Sequence, residues 1–143
     1  TESLLNSLGY NYPIEAVLGQ ALTIKVKSSF EDWSGWPAVL ASNGINLIPK
    51  SHNQILLGAT LEPGEIPNSS NLEDMKNMYG QDPEWLKQSA IISQWYGLRA
   101  KPLGNPAPIL QKLEVGLILA TAHYRNGILL APATAEWIEE QVQ

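Results

Sequence analysis

Only two of the nine basic residues are arginines, Arg99 and Arg125, and each falls at the end of an apolar stretch. A guanidinium is a planar fork that holds a carboxylate through two parallel hydrogen bonds, a geometry an ammonium does not reproduce. Arginines at element ends are therefore candidates for recognising an acidic small molecule, with an ordinary surface ion pair as the alternative for either one alone. Arg125 opens the run Arg125-Asn126-Gly127, between a strand pattern and a terminal helix pattern. Unpaired backbone donors and the positive end of a helix dipole meet at such a junction, which favours an anion; a plain turn feeding the helix would use the same residues. His123 ends the strand beside them and could act as a base, a ligand or a hydrogen-bonded structural residue.

Other groups suggest less chemistry. Trp33, Trp36, Trp85, Trp95 and Tyr96 could cage an amine, but they fall on separate elements, which favours core packing. Glu62 and Glu65 flank Pro63-Gly64 and need not converge, so a catalytic carboxylate pair is not indicated. His52 sits in a hairpin turn and should be solvated. With no cysteine and two histidines, the chain offers no disulfide, thiolate nucleophile or convincing metal site.

The elements that must position these residues follow from patterning. At 143 residues and 44% hydrophobic content, one compact unit is the first expectation. Charged residues are 16% and the net charge is -5, without a basic run, which argues against nucleic acid. No apolar stretch approaches the roughly 18 residues of a membrane span. The expected setting is soluble and cytoplasmic. The chain starts at Thr1, without a methionine, directly in a helix pattern through Leu4, Leu5 and Leu8 that stops at Gly9, and is expected to be a portion of a longer polypeptide.

Alternation of Leu22, Ile24 and Val26 with Thr23, Lys25 and Lys27 predicts a strand over Ala21 to Lys27 with one buried face. A polar loop runs from Ser28 to Pro37. Two apolar runs around Lys50-Ser51-His52-Asn53 predict a hairpin that ends in Gly58-Ala59-Thr60. Ser70 with Glu73 reads as a capping box for a helix through Leu72, Met75 and Tyr79. Asp82-Pro83-Glu84 opens a short helical turn. Ser89 to Arg99 reads as a strand, followed by an irregular Pro/Gly loop, and Val115 to Thr121 as a strand buried on both faces. A final helix from about Leu129 to Val142 presents Leu130, Ala133, Trp137, Ile138 and Gln141 on one face. The sum is an α+β pattern.

Taken in order, Gly19-Gln20, Ile48-Pro49-Lys50, Gly58-Ala59-Thr60-Leu61-Glu62, Gly97-Leu98-Arg99 and the run His123-Tyr124-Arg125-Asn126-Gly127-Ile128-Leu129-Leu130-Ala131-Pro132-Ala133-Thr134 resemble the C-terminal part of FAD-dependent oxidases of the D-amino-acid oxidase and glycine oxidase family. The resemblance implies an antiparallel or mixed sheet with helices on one side over residues 19–110, the substrate domain. Residues 1–18 would leave the FAD domain, and 111–143 would supply its final strand and helix. It also implies that Arg99 binds the substrate carboxylate with Arg125 assisting, and that Asn46 stands where a tyrosine usually helps. His123, Arg125, Asn126, Gly127, Ile128 and Leu129 would lie against the flavin's pyrimidine edge. The reaction would pass a hydride from a small, glycine-like amino acid to FAD, with oxygen returning the flavin to its oxidised form and yielding peroxide.

Besides Asn46, this chain departs from the family pattern in three further places. Ala122 replaces a usual glycine, the loop after Arg99 reads Leu103-Gly104-Asn105-Pro106, and no G-x-G-x-x-G cradles a pyrophosphate. The chain alone is expected to lack tight FAD binding, to be inactive, and to need a partner corresponding to an N-terminal FAD-binding half. It is also expected to self-associate through the Val115 to Thr121 strand and the last helix. A non-enzymatic carboxylate-binding or assembly module, and a dehydrogenase of the sarcosine-oxidase-like group, are the alternatives.

Overall fold

The computed structural model describes residues 2–27 and 35–142. The Thr1 cap and Trp33 lie outside the described residues. The architecture is mixed α+β with antiparallel sheets. The elements in order are α1 (Glu2–Ser7), β1 (Ile14–Lys25), β2 (Leu40–Ser42), β3 (Ile45–Ser51), β4 (Gln54–Gly58), β5 (Glu62–Pro63), α2 (Ser69–Lys76), a 3-10 turn (Met78–Gly80), α3 (Glu84–Lys87), β6 (Ala90–Pro102), β7 (Ile109–Glu114), β8 (Leu117–Thr121) and α4 (Gly127–Val142).

The chain divides into two compact units, Leu18–Gly97 and the combination of Thr1–Val17 with Leu98–Gln143. The divisions fall inside β1 and inside β6. In the sheet, β2, β3, β4, β1 and β5 follow one another, and β6 also pairs with β1.

In the unit Leu18–Gly97, β1 is antiparallel to β4, with Ala21 opposite Gly58 and Ile24 opposite Ile55. β3 pairs with β4 across the two-residue His52-Asn53 turn, as the apolar runs predict. The core gathers Leu22, Ile24, Ile45, Leu47, Ile55 and Leu57 from the strands with Leu72, Met75, Met78 and Leu86 from the helical segments. Fully burying each such side chain stabilises the fold by about 1.5–3 kcal/mol. β1 begins earlier than its alternation suggests, and both its faces are buried from Val17 to Ile24. As an interior strand paired with both β4 and β6, it buries Thr23 along with its apolar neighbours.

Several local expectations are corrected here. Helix α2 is capped by Asn68, whose side chain accepts from the Ser70 amide at 3.0 Å, so Ser70 is inside the helix and not its cap. The helix ends at Lys76, and Tyr79 sits at φ 54°, exposed, outside the helical face assigned to it. β2, a stretch to which the sequence pattern assigns no element, is joined to β3 by Asn43-Gly44, with φ 50° and 75°, in a two-residue turn. Trp36 and Trp85 pack edge to face at 5.8 Å, whereas Trp95 and Tyr96 are exposed on β6 and not packed in the core.

In the other unit, β7 and β8 form an antiparallel hairpin, with Ile109 opposite Thr121. The stretch Val115 to Thr121 is therefore not one strand buried on both faces. Val115 is 97% exposed at the turn, Gly116 takes φ 83°, and within β8 only Leu119 is fully buried. The small core joins Leu5, Ile109, Leu119 and Ala122, with Tyr10, Tyr12, Ile14, Ala100 and Leu113 around it. Helix α4 starts at Gly127, two residues before the sequence pattern indicates. Its inner face carries half-buried Leu130, Trp137, Ile138 and Gln141, but Thr134 is its buried residue and Ala133 is exposed.

Candidate functional site

Arg99 lies on β6 just inside the unit that holds the chain termini, half-buried. It lines a cavity of about 210 Å³ with Glu2, Ile14, Glu15, Ala16, Leu98 and Ala100. Two residues along the same strand, Lys101 makes a 3.0 Å salt bridge with Glu15. The hydrogen bond to the Glu15 carboxylate and its charge hold the Lys101 ammonium above its ordinary pKa.

The turn itself is sharply bent. Ala122 and Tyr124, on either side of His123, both adopt left-handed backbone, with φ 54° and 55°. A left-handed conformation costs an L-residue about 1–2 kcal/mol relative to a right-handed one, which explains why glycine suits position 122. The Ala122 methyl is buried in the small core. His123 Nε2 lies 2.9 Å from Thr134 Oγ1, which anchors the turn to α4. The Asn126 amide donates to the His123 carbonyl at 3.1 Å, and the Asn126 carbonyl accepts from Leu130 at 2.8 Å, so Asn126 caps the helix.

Residues 125–129 are exposed, Ile128 and Leu129 at 95% and 78%. The first-turn amides of a helix have no partner inside it. Exposed apolar side chains next to backbone donors match the edge of a flat heteroaromatic ring that carries carbonyl acceptors. The donor set therefore fits the pyrimidine end of a flavin. The sequence holds no glycine-rich loop for the pyrophosphate end.

Of the residues singled out from sequence, Arg99, His123, Arg125, Asn126, Gly127, Ile128 and Leu129 fall in one compact unit, and Asn46 falls in the other. Asn46 is exposed on β3, in register with Ala41 and Gly58. Among the described residues no group of three or more His, Cys, Asp or Glu could hold a metal.

One polar cluster escaped the sequence reading. Glu62 is only 3% exposed and accepts from Gln20 Nε2 at 2.8 Å, from the Thr60 hydroxyl, and from the Asn68 amide at 3.0 Å. The Gln20 amide in turn donates to Thr60 Oγ1 at 2.8 Å. Burial alone would raise the Glu62 pKa, but hydrogen bonds from Thr60, Gln20, Asn71 and Asn68 outweigh it and hold the carboxyl below its ordinary value. The signal was available, because Gly19-Gln20 and Thr60-Leu61-Glu62 stand in otherwise apolar surroundings.

The site residues thus comprise an arginine at a cavity and an exposed turn at a helix start, in an α+β chain. Comparison with known proteins narrows this: residues 1–141 match the family described as FAD dependent oxidoreductase, and the chain belongs to that family. It is 33% identical to the glycine oxidase of Pseudomonas putida over 137 residues, which are 93% of this chain and 36% of that protein. The crystal structure of glycine oxidase from Geobacillus kaustophilus superimposes with a TM-score of 0.75 at 26% identity, over 97% of this chain and 38% of that one. Glycine oxidase from Bacillus cereus gives a TM-score of 0.79 at 23% identity, over 99% and 39%, and shows the shared fold. The chain thus spans well under half the length of these relatives.

Proposed function

We propose that this chain is the C-terminal, substrate-domain portion of an FAD-dependent amine or amino-acid oxidase acting on a small, glycine-like amino acid. The observation that carries this reading is the placement of Arg99, at a cavity, in the same compact unit as the exposed Arg125–Leu129 turn. Bound flavin would supply the redox chemistry, accepting a hydride from the carbon that bears the amine and returning electrons to oxygen as peroxide.

The chain's own residues have positioning and electrostatic roles. Arg99 grips the substrate carboxylate and Arg125 adds a second cation. The amides of Gly127 to Leu129, at the positive end of α4, stabilise negative charge at the pyrimidine edge of the ring. In this reading residues 19–110 form the substrate domain, and residues 1–18 and 111–143 belong with the FAD domain, whose phosphate-binding part is supplied by another polypeptide segment.

The test is reconstitution. The chain is joined to the unmatched remainder of the Pseudomonas putida relative, loaded with FAD and assayed for peroxide with glycine and other small amino acids. Amine-dependent peroxide is the expected result, and a flavin-loaded fusion that yields none would overturn the reading.

A further inference from the structure

The sequence contains two Asn-Gly pairs, Asn43-Gly44 and Asn126-Gly127, each followed by isoleucine. Where glycine follows asparagine, no Cβ screens the peptide nitrogen, which can then reach the side-chain amide carbon of the asparagine. Both pairs are exposed, but they are held differently. Asn126 is pinned on both sides, since its amide donates to the His123 carbonyl at 3.1 Å and its carbonyl accepts from Leu130 at 2.8 Å. Gly127 is the first residue of α4, so turning the peptide between them breaks the opening hydrogen bond of the helix. Asn43-Gly44, in contrast, is the two-residue turn between β2 and β3, and among the described residues no backbone hydrogen bond engages the Gly44 amide. A Cβ at Gly44 would meet nothing within 4 Å, which leaves the peptide room to turn. The Asn43 side chain is held at an exposed contact, where Nδ2 donates to Gln81 Oε1 at 2.9 Å and more weakly to the Met78 carbonyl at 3.4 Å.

We propose that Asn43 is a site of spontaneous deamidation, and that its side-chain amide is a latch which the reaction releases. The Gly44 nitrogen gives its proton to water or hydroxide and attacks Asn43 Cγ. The N–Cγ bond forms, the Cγ–Nδ2 bond breaks, and Nδ2 takes up a proton and leaves as ammonia. Water then opens the cyclic imide. Cleavage of the Cγ–N bond gives aspartate, and cleavage at the main-chain carbonyl gives isoaspartate, whose backbone runs through Cβ and Cγ. A water is consumed and an ammonia released, with no change of oxidation state. Either product replaces a donating amide by a carboxylate, which sets acceptor against acceptor at the Met78 carbonyl and Gln81 Oε1. The β2–β3 turn then loses its tie to the 3-10 turn, where Met78, Tyr79 and Gly80 hold left-handed backbone at φ 47°, 54° and 83°. Successive non-glycine residues in that region are strained, and surrounding contacts such as the Asn43 amide must hold them. Isoaspartate also lengthens the backbone of a two-residue turn, which disturbs the pairing of Ser42 with Ile45 and of Ala41 with Asn46.

The test ages the 143-residue chain in mildly alkaline buffer and follows both asparagines by peptide mass spectrometry, with an isoaspartyl methyltransferase as the probe for isoaspartate. The peptide carrying Asn43 should gain the mass of an amide-to-acid exchange on the order of tenfold faster than the peptide carrying Asn126, and Gly44→Ala should slow it by a similar factor. In denaturant the two asparagines of the parent should react at similar rates, because the contacts that distinguish them are gone. Hydrogen exchange over residues 78–81 should be severalfold faster in the aged chain and in Asn43→Asp than in the fresh parent, while β7 and β8, in the other unit, should not change. Equal rates at the two asparagines of the folded chain, faster reaction at Asn126, or a preference for Asn43 that persists undiminished in denaturant would overturn the structural assignment of the site. Unchanged exchange over residues 78–81 in Asn43→Asp would overturn the latch.

Discussion

Gln20 Nε2 donates to Glu62 Oε1 at 2.8 Å and to the Asn68 carbonyl at 2.7 Å, which ties the middle of β1 to β5 and to the cap of α2. Two short segments that stand 42 residues apart in sequence thus become one buried cluster. Because Glu62 is held ionised by these donors, its folded pKa lies below the unfolded value of about 4.3. The sign follows: its contribution is complete above about pH 4.3 and is lost as pH falls through the lower, folded value. Urea denaturation should show Glu62→Gln less stable than the parent by about 1–3 kcal/mol at pH 7. The gap should close under acid conditions, and a gap independent of pH would exclude this account.

Arg99→Ala should weaken binding of a small carboxylate ligand to a flavin-loaded preparation by about 2–5 kcal/mol, if the pair forms away from bulk water. Arg99→Lys should recover only part of this, since an ammonium cannot make the paired hydrogen bonds of the fork. Calorimetric titration with an amino-acid analogue checks both. Unchanged affinity in Arg99→Ala would remove this residue from the site.

The contact between His123 and Thr134 fixes the turn against α4. Thr134→Val keeps the shape but removes the hydroxyl, and should cost about 0.5–1.5 kcal/mol in thermal or chemical unfolding. Resonances of residues 123–127 should shift, while those of β3 and β4, in the other unit, should not.

Gly44 holds φ 75° in the Asn43-Gly44 turn, where a Cβ would meet no neighbour within 4 Å. Any cost of Gly44→Ala is therefore conformational, and about 1–2 kcal/mol is expected from the left-handed backbone. Gly35→Ala, which also meets no neighbour and carries no positive φ, serves as the control and should be close to neutral.

The sequence by itself determined the α+β class, the β3–β4 hairpin, the terminal helix and the two arginines. Each of these rests on local information: a period of two or 3.6, a turn dipeptide, or a rare residue type. The family likeness came from the same source, through the run from His123 to Thr134. Local patterning could not tell which apolar stretches would be covered. Val115 and Trp95 look alike as core residues, yet one sits on a hairpin turn and the other on an uncovered edge. Nor could it show that Asn68, and not Ser70, caps α2, because Asn68 is also fixed there through its own amide to Glu62. Burial and partnership are properties of residues brought together from distant parts of the chain. Only the tertiary structure decided them.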